Sequence, residues 1–217
     1  MPTSTPAPAR GRFVTLEGID GAGKSTHVPA IAGFLRGYGL RVVTTREPGG
    51  TPVGEALRAV VLNERMEHDT ETLLMFAARR EHIVRTIAPA LARGDWVLCD
   101  RYTDATWAYQ GGGHGVSASL IVALEREVVG DVVPDVTLLF DLPEAVSRER
   151  RSRARVEDGA VDKFEREPDA FFERVRAAYR ARAAADPGRF RVIDASRPVS
   201  DIRIELKRIV EAICRSA

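Results

Sequence analysis

The stretch "EGIDGAGKST", residues 17–26, decides the fold class of this chain. It follows a short apolar run at 12–17 and overlaps the start of a helical pattern at 24–37. Its spacing matches G-x-x-x-x-G-K-[ST], a loop whose backbone N–H groups converge on phosphate oxygens at a helix N-terminus. A solvated glycine-rich turn is the alternative. Strand, spacing and helix together favour a phosphate-binding loop.

Two side chains of this loop have expected roles in binding a nucleotide. Lys24 is expected to reach the β- and γ-phosphates, and Ser25 to place its hydroxyl on Mg²⁺. Only three of the 32 basic residues are lysines, namely Lys24, Lys163 and Lys207. The lysine in the loop therefore stands out in a chain that mostly uses arginine. The predicted nucleotide-binding residues of the loop are Gly18, Ile19, Asp20, Gly21, Ala22, Gly23, Lys24, Ser25 and Thr26.

Apolar runs alternate with helical patterns along the rest of the chain. The runs lie at 12–17, 40–45, 95–99, 136–141 and 190–194. Helical spacing of apolar residues marks 24–37, 52–63, 71–92, 117–129, 143–155, 168–185 and 199–215. The alternation predicts an α/β fold with a five-stranded parallel sheet and helices on both faces. Ligands of such sheets bind beyond the carboxyl ends of the strands.

Composition narrows the classes of protein that this chain can represent. A length of 217 residues predicts one domain at 12–217, after a flexible N-terminal tail at 1–11. A net charge of +1 gives no reason to expect nucleic acid or an anionic membrane as partner. Two cysteines exclude a disulfide framework, and no apolar run approaches the length of a membrane-spanning helix. We therefore expect a cytoplasmic protein.

A second polar pair follows the third apolar run, in "WVLCDRYTDATWAYQGGG" at 96–113. Asp100 is placed to hold Mg²⁺ or its waters, and Arg101 offers a planar fork of donors to a second phosphate. A surface ion pair at a strand end is the alternative. The phosphate-binding loop nearby favours the functional interpretation.

Two arginine-containing helical patterns complete the candidate site. Phe76 and Arg80 are four residues apart, so they share a helix face and could stack on a base and bond its edge. Phe76 as plain core is the alternative. The arginines of "SRERRSRAR" at 147–155 predict a lid around 148–165 that closes over a triphosphate, with a solvated helix face as the alternative.

Taken together, these motifs resemble the thymidylate kinase family, over about residues 12–213. The resemblance rests on E-G-I-D-G-A-G-K-S-T, T-R-E-P-G-G-T-P, L-L-M-F-A-A-R-R, D-R-Y-T-D-A-T-W-A-Y-Q-G, P-D-V-T-L-L-F-D-L, and R-S-R-A-R with a later D-K-F-E. It implies a nucleoside monophosphate kinase-like fold. It also implies transfer of the γ-phosphoryl group of ATP to dTMP with Mg²⁺, in an enzyme that is commonly a homodimer.

Carried over residue by residue, the resemblance assigns further roles. The acceptor side comprises Arg46, Pro48, Phe76, Arg80, Arg101, Thr106 and Tyr109. Phe76 would stack on thymine, Arg80 and Thr106 would contact the base, and Tyr109 would exclude a ribose 2′-OH. Arg46 and Arg101 would hold the acceptor phosphate.

Asp20 would face the acceptor, as a catalytic residue beside Lys24, Arg101 and Arg153. Gly21 and Ala22 in the loop, with Arg151, Arg153 and Arg155 in the lid, resemble the bacterial type of the family. In that arrangement Arg151 and Arg155 bind ATP. Ala105 and Lys163 depart from the residues usual in the family, and the loop from Val156 to Val161 is longer than usual.

Two other functions remain open at this point. One is a kinase of the same architecture for another nucleoside monophosphate. The other is a nucleotide-dependent binding switch, against which the absence of an N-K-x-D stretch counts.

Overall fold

A computed structural model describes residues 10–158 and 163–215. Its five parallel strands are ordered β2-β3-β1-β4-β5, and the predicted five-stranded parallel sheet is confirmed. The strands are β1 (Phe13–Glu17), β2 (Val42–Arg46), β3 (Trp96–Asp100), β4 (Val136–Asp141) and β5 (Phe190–Asp194). Because β1 is central, with Thr15 beside Cys99 of β3 and Thr137 of β4, the loop after it emerges mid-sheet.

Helices cover both faces of the sheet. The longer ones are α1 (Lys24–Gly37), α2 (Pro52–Asn63), α3 (His68–His82), α7 (Glu144–Asp158), α8 (Asp169–Ala185) and α9 (Val199–Arg215). Short helices are α4 (Ala88–Ala92), α5 (Thr103–Thr106) and α6 (Ala118–Leu124), with π-helical turns at Ile83–Ile87, Trp107–Gly113 and Glu125–Val129 and a 3-10 turn at Phe164–Arg166. None of the helices within the described ranges has the length and apolar character needed to cross a membrane.

The helical segment from Thr103 to Gly113 is absent from the sequence prediction. Three consecutive glycines at 111–113 usually indicate the end of a helix, so the sequence pattern does not reveal this segment. Here they permit close packing instead, because a Cβ on Gly113 would lie 2.4 Å from the Phe171 ring of α8. The segment therefore lies directly against α8, and it delivers several side chains to the candidate site.

Alternation along the strands divides the core into two clusters. Leu16 and Leu98 face the cluster that includes Phe172 and Leu206 of α8 and α9. Phe13, Val97 and Cys99 face the other cluster, which includes Phe76 of α3. Side chains of successive strand residues point to opposite faces, so a sheet buried on both faces needs apolar residues at nearly every position.

The N-terminal boundary of the folded region differs from the prediction. Gly11 is buried and its N–H donates to Leu91 O at 2.9 Å. Arg10 pairs with Asp135 at 3.1 Å. Residues 10 and 11 therefore belong to the folded domain rather than to the expected tail, of which 1–9 lie outside the described ranges.

Candidate active site

The phosphate-binding loop wraps around the side chain of its own lysine. Lys24 Nζ donates to Gly18 O at 2.9 Å and to Ile19 O at 3.3 Å. Gly23, the residue before α1, has a φ of 82°, which favours glycine. Burial and then the positive charge of Arg101 lower the pKa of Lys24 to about 8. The loop thus holds a buried ammonium group at the N-terminus of a helix.

Residues 20–27 line a cavity, here called the loop cavity, together with Arg150 of α7 and with Arg197 beyond β5. Arg150 Nη1 donates to Gly21 O at 3.3 Å, and Ser147 Oγ donates to Asp20 O at 2.7 Å. The first two turns of α7 therefore support the loop. Arg150 is one of the five arginines of the predicted lid, but the sequence assigned the nucleotide contacts to Arg151, Arg153 and Arg155.

The other lid arginines are placed differently from the prediction. Arg151 is buried over the Phe172 ring, 3.5 Å from its centroid, and pairs with Glu144. Arg153 is exposed and pairs with Glu149 one turn earlier. Helical spacing separates these neighbours from Arg150 around the axis, so Arg150 is the one that reaches the loop cavity. The side chain of Arg155 and residues 159–162 lie outside the described part of the chain.

Arg101 joins three side chains beyond the end of β3. Its guanidinium donates to Asp20 Oδ1 at 2.5 Å, to Tyr109 Oη at 3.0 Å and to Tyr179 Oη at 3.1 Å. Its φ of 70° lies in the left-handed region, which is strained for a residue with a Cβ. Glu17 holds this turn, because its carboxyl group accepts from the N–H of Tyr102 at 2.8 Å.

Two carboxyl groups near Arg101 have opposite pKa shifts. Burial, followed by the negative charge of Asp104, raises the pKa of Glu17 to about 7. Burial would also raise the pKa of Asp20, but the positive charges of Arg101 and Lys24 lower it below its ordinary value. Asp20 is therefore ionised at neutral pH.

A second pocket, here called the Tyr109 pocket, opens on the other side of Asp20. Its lining includes Asp20, Pro48, Met75, Ala105, Tyr109 and Gln110. Pro48 is presented by a cis Glu47–Pro48 peptide. Tyr109 and Gln110 are adjacent in the π-helical turn Trp107–Gly113, whose wider turn directs both neighbours to the pocket. Gln110 and Met75 are site residues that sequence reasoning missed.

Phe76 and Arg80, the expected base contacts, do not line the Tyr109 pocket. Phe76 is buried in the second core cluster, and Arg80 is exposed and bonds Val128 O. Met75 lines the pocket, and Arg79, one turn later on α3, pairs with Glu47 of the pocket lining. Both pairs have the same four-residue spacing, so the spacing alone cannot select between them. The "RR" dipeptide at 79–80 makes the ambiguity possible.

Arg79 is buried and fixed by three partners, one of which, Glu47, lines the pocket. Its guanidinium donates to Glu47 Oε2 at 2.7 Å and to Tyr102 O at 3.1 Å. A third bond runs to Thr106 Oγ1 at 3.1 Å, so Thr106 supports Arg79 instead of lining the pocket as expected. Nη1 of Arg79 is buried with no hydrogen-bond partner among the described residues, which leaves a donor for a ligand.

Ser25, Arg46 and Asp100 line a third cavity. Arg46 pairs there with Glu55 at 2.8 Å, whereas Arg101 lines the Tyr109 pocket. The expected contact of Arg46 with an acceptor phosphate stays a prediction. Ser25 Oγ donates to Asp100 Oδ2 at 3.2 Å, and Asp100 Oδ1 is buried without a partner in the described chain.

This pair of oxygen donors suits Mg²⁺, which usually binds through one or two carboxylates with water and substrate phosphates. Within the described ranges, no group of three or more His, Cys, Asp and Glu side chains could hold a metal ion by itself. Any Mg²⁺ here would therefore depend on phosphate oxygens for its remaining ligands.

Comparisons with known proteins agree with this geometry. The profile of the family described as thymidylate kinase matches residues 16–206. The chain is 59% identical over 205 residues to a thymidylate kinase of Bordetella petrii, covering 94% of this chain and 97% of that protein. It is 58% identical to one of Methylobacillus flagellatus, covering 93% and 97%. A crystal structure of thymidylate kinase from Ehrlichia chaffeensis superposes with a TM-score of 0.72 at 34% identity, covering 93% and 99%.

Proposed function

The chain belongs to the thymidylate kinase family, and we propose that its two pockets divide the substrates of that reaction between them. It transfers the γ-phosphoryl group of ATP to dTMP, giving ADP and dTDP, a step toward dTTP. One observation supports the division: Asp20 lines both the loop cavity and the Tyr109 pocket. Phosphates bound on its two sides would meet beside Arg101.

The loop cavity is the proposed ATP site. Backbone N–H groups at the start of α1 bind the phosphates, and Lys24 contacts the β- and γ-phosphates. Arg150 is the lid arginine best placed to join them, since it already reaches Gly21 O. Mg²⁺ held by Ser25 and Asp100 would neutralise charge on the same phosphates.

The Tyr109 pocket is the proposed dTMP site. Met75 packs on thymine, and Arg79 Nη1 donates to a base carbonyl, because it is the unpartnered donor of that side chain. Gln110 Oε1, also buried without a partner in the described chain, accepts the N3–H of the base. Tyr109 packs beneath the deoxyribose, and Arg101 holds the phosphate.

The transfer needs positioning and charge neutralisation, not a general base. A phosphate monoester has its second pKa near about 6, so the acceptor oxygen is largely ionised at neutral pH. A bond forms between that oxygen and the γ-phosphorus, and the bond to the β–γ bridging oxygen breaks, leaving ADP. Arg101 and Lys24 offset the charge on the transferred group, and closure of the lid excludes water.

We also propose that the chain acts in the cytoplasm as a homodimer, with a single domain that includes residues 10 and 11 and with a lid around 148–165. Exposed apolar side chains on α2, on α3 and on the π-helical turn Ile83–Ile87 support a dimer: Val53, Val60, Leu73 and Val84 are each at least 42% exposed. A partner would remove this surface from water. Gel filtration with light scattering distinguishes a dimer from a monomer.

The test of function is ADP formation from Mg·ATP with dTMP, dUMP, dCMP, dGMP and AMP, each at one concentration. We expect strong turnover with dTMP, weaker turnover with dUMP and little with the others. Turnover that favours another monophosphate would contradict the assigned acceptor. If no acceptor raised ADP formation above that of ATP alone, the kinase assignment would fall in favour of a nucleotide-dependent switch.

A further inference from the structure

Glu71 of α3 lies at the centre of a buried polar cluster beside the Tyr109 pocket. Its side chain is 2% exposed, and its Oε2 lies 2.6 Å from Lys163 Nζ. Its Oε1 accepts a hydrogen bond from Gln110 Nε2 at 2.7 Å. His114 Nε2 is 3.8 Å from Oε1, beyond hydrogen-bond distance. Glu71 itself lines neither the loop cavity nor the Tyr109 pocket, and it meets the pocket lining through Gln110.

The chemistry of a carboxylate fixes which way the Gln110 amide faces. An ionised carboxylate only accepts hydrogen bonds, so the atom that Gln110 turns toward Glu71 must be its donor, Nε2. Oε1 then faces away from Glu71, and it is buried with no partner among the described residues. Since Gln110 lines the pocket, the group left for a ligand is an acceptor.

Lys163 keeps this arrangement in place from outside the pocket. Its ammonium group pairs with Oε2 of the buried Glu71 carboxylate and so fixes the position of Oε1, which accepts from the Gln110 amide. Lys163 is itself anchored, because its N–H donates to Leu62 O at 3.1 Å and its Nζ donates to Glu64 O at 3.2 Å.

We propose that Glu71, held by Lys163, is a positioning residue for substrate selection that presets Gln110 as a hydrogen-bond acceptor. The pocket thereby takes base edges that carry an N–H between two ring carbonyls and rejects edges with an acceptor at that position. This inference rests on the contact between Gln110 and the base proposed above. The Glu71–Lys163 pair would thus influence selection without contacting the substrate, from a position between α3 and the segment that follows α7.

The decisive variant is Glu71→Gln in the full-length protein. An amide at position 71 can donate as well as accept, so Gln110 can turn and offer Nε2 to the pocket. The measurement is the ratio of kcat/KM for dTMP to kcat/KM for 5-methyl-dCMP, which keeps the methyl group but carries an acceptor at N3. We expect this ratio to fall by about 10- to 100-fold, as for a buried polar group given the wrong partner. Arg79 opposes the amino group equally in both enzymes, so its effect cancels.

Three further variants separate positioning from a general loss of structure. Lys163→Met should lower the ratio as well, and Lys163→Arg should restore it. Glu67→Gln, at an exposed position just before α3, should leave it unchanged. A merely structural role of Glu71 would lower both kcat/KM values together and leave the ratio constant.

An unchanged ratio in both Glu71→Gln and Lys163→Met overturns the proposal. If Gln110→Leu changes the ratio while those variants do not, only the positioning role falls. If Gln110→Leu also leaves it unchanged, the base contact of Gln110 falls with it. Turnover of dTMP by the unsubstituted protein tests the proposed function separately.

Discussion

Arg101 and Asp20 form an ion pair, Nη2 to Oδ1 at 2.5 Å, between the two pockets of the site. Tyr109 Oη donates to the other oxygen of Asp20 at 2.9 Å. Without substrate the charge of Arg101 is thus balanced by Asp20, and its guanidinium is kept in place by three partners. The pair is pre-organised for a phosphate that competes for the same donors.

Arg101→Lys should therefore impair use of the acceptor more than binding of ATP. A lysine cannot maintain the planar fork that reaches Asp20, Tyr109 and Tyr179 at once. We expect kcat/KM for dTMP to fall by about 10²-fold or more, with a much smaller change in the Kd for ATP. Steady-state kinetics and an ATP titration measure the two effects. Arg126→Lys at an exposed position is the matched control, and an equal loss of ATP affinity would contradict the assignment.

The adjacent arginines of α3 offer a direct comparison. Arg79→Gln should lower kcat/KM for dTMP by about 10²-fold, because it removes a charged donor from the base and leaves Glu47 buried without its partner. Arg80→Gln should have almost no effect, since Arg80 is exposed and far from the pocket lining. Kinetics on both variants, with circular dichroism to verify folding, decide the matter. The opposite ranking would restore Phe76 and Arg80 as the base contacts.

Binding of ATP should take up protons near pH 8. The free protein holds Lys24 with its pKa lowered to about 8, so part of the population is neutral at that pH. Bound phosphates favour the charged form and raise the pKa, which draws a proton from solution. Titration calorimetry in buffers of different ionisation enthalpy should detect about half a proton per site at pH 8 and a much smaller fraction at pH 6.5.

Lys24→Ala provides the control for that titration. It should abolish the uptake near pH 8 and lower turnover by about 10²–10³-fold. Uptake that persists in Lys24→Ala would show that another group titrates. Near-normal turnover would contradict the phosphate-binding assignment of the loop.

Stability should depend on pH through Glu17. Its pKa in the folded protein is raised from 4.5 to about 7, so the folded state binds this proton more tightly than the unfolded state. The resulting stabilisation is complete below pH 4.5 and is lost as the pH rises through 7. The free energy of unfolding should therefore fall, relative to Glu17→Gln, across this interval. Urea denaturation at a series of pH values measures the difference, and parallel curves for the two proteins would refute the shift.

The central features of the fold follow from local patterns that the sequence displays. Apolar runs that stand between helical patterns locate all five strands, and the glycine spacing at 18–23 locates the loop that β1 presents. These signals depend on residues close together in the chain. They also locate Lys24 and Ser25 at the start of α1 and Asp100 at the end of β3.

The acceptor side is harder to predict, because rotation about a helix axis decides which side chains face the pocket. A shift of one residue moves a helical side chain by about 100°. This shift separates Met75 and Arg79 from Phe76 and Arg80, and Arg150 from Arg151. The π-helical turn at 107–113 has more residues per turn than an α-helix, so α-helical spacing does not predict which of its side chains face the pocket.

Because the chain has only three lysines, modification of each lysine side chain can be measured separately. Lys24 lies inside the loop cavity, Lys163 pairs with Glu71, and Lys207 is exposed on α9. An amine-acylating reagent followed by peptide mass spectrometry would therefore report nucleotide occupancy at the first and integrity of the Glu71 pair at the second. The third supplies an internal standard for reagent strength. A chain that used lysine as freely as arginine would blur these signals among many modified sites.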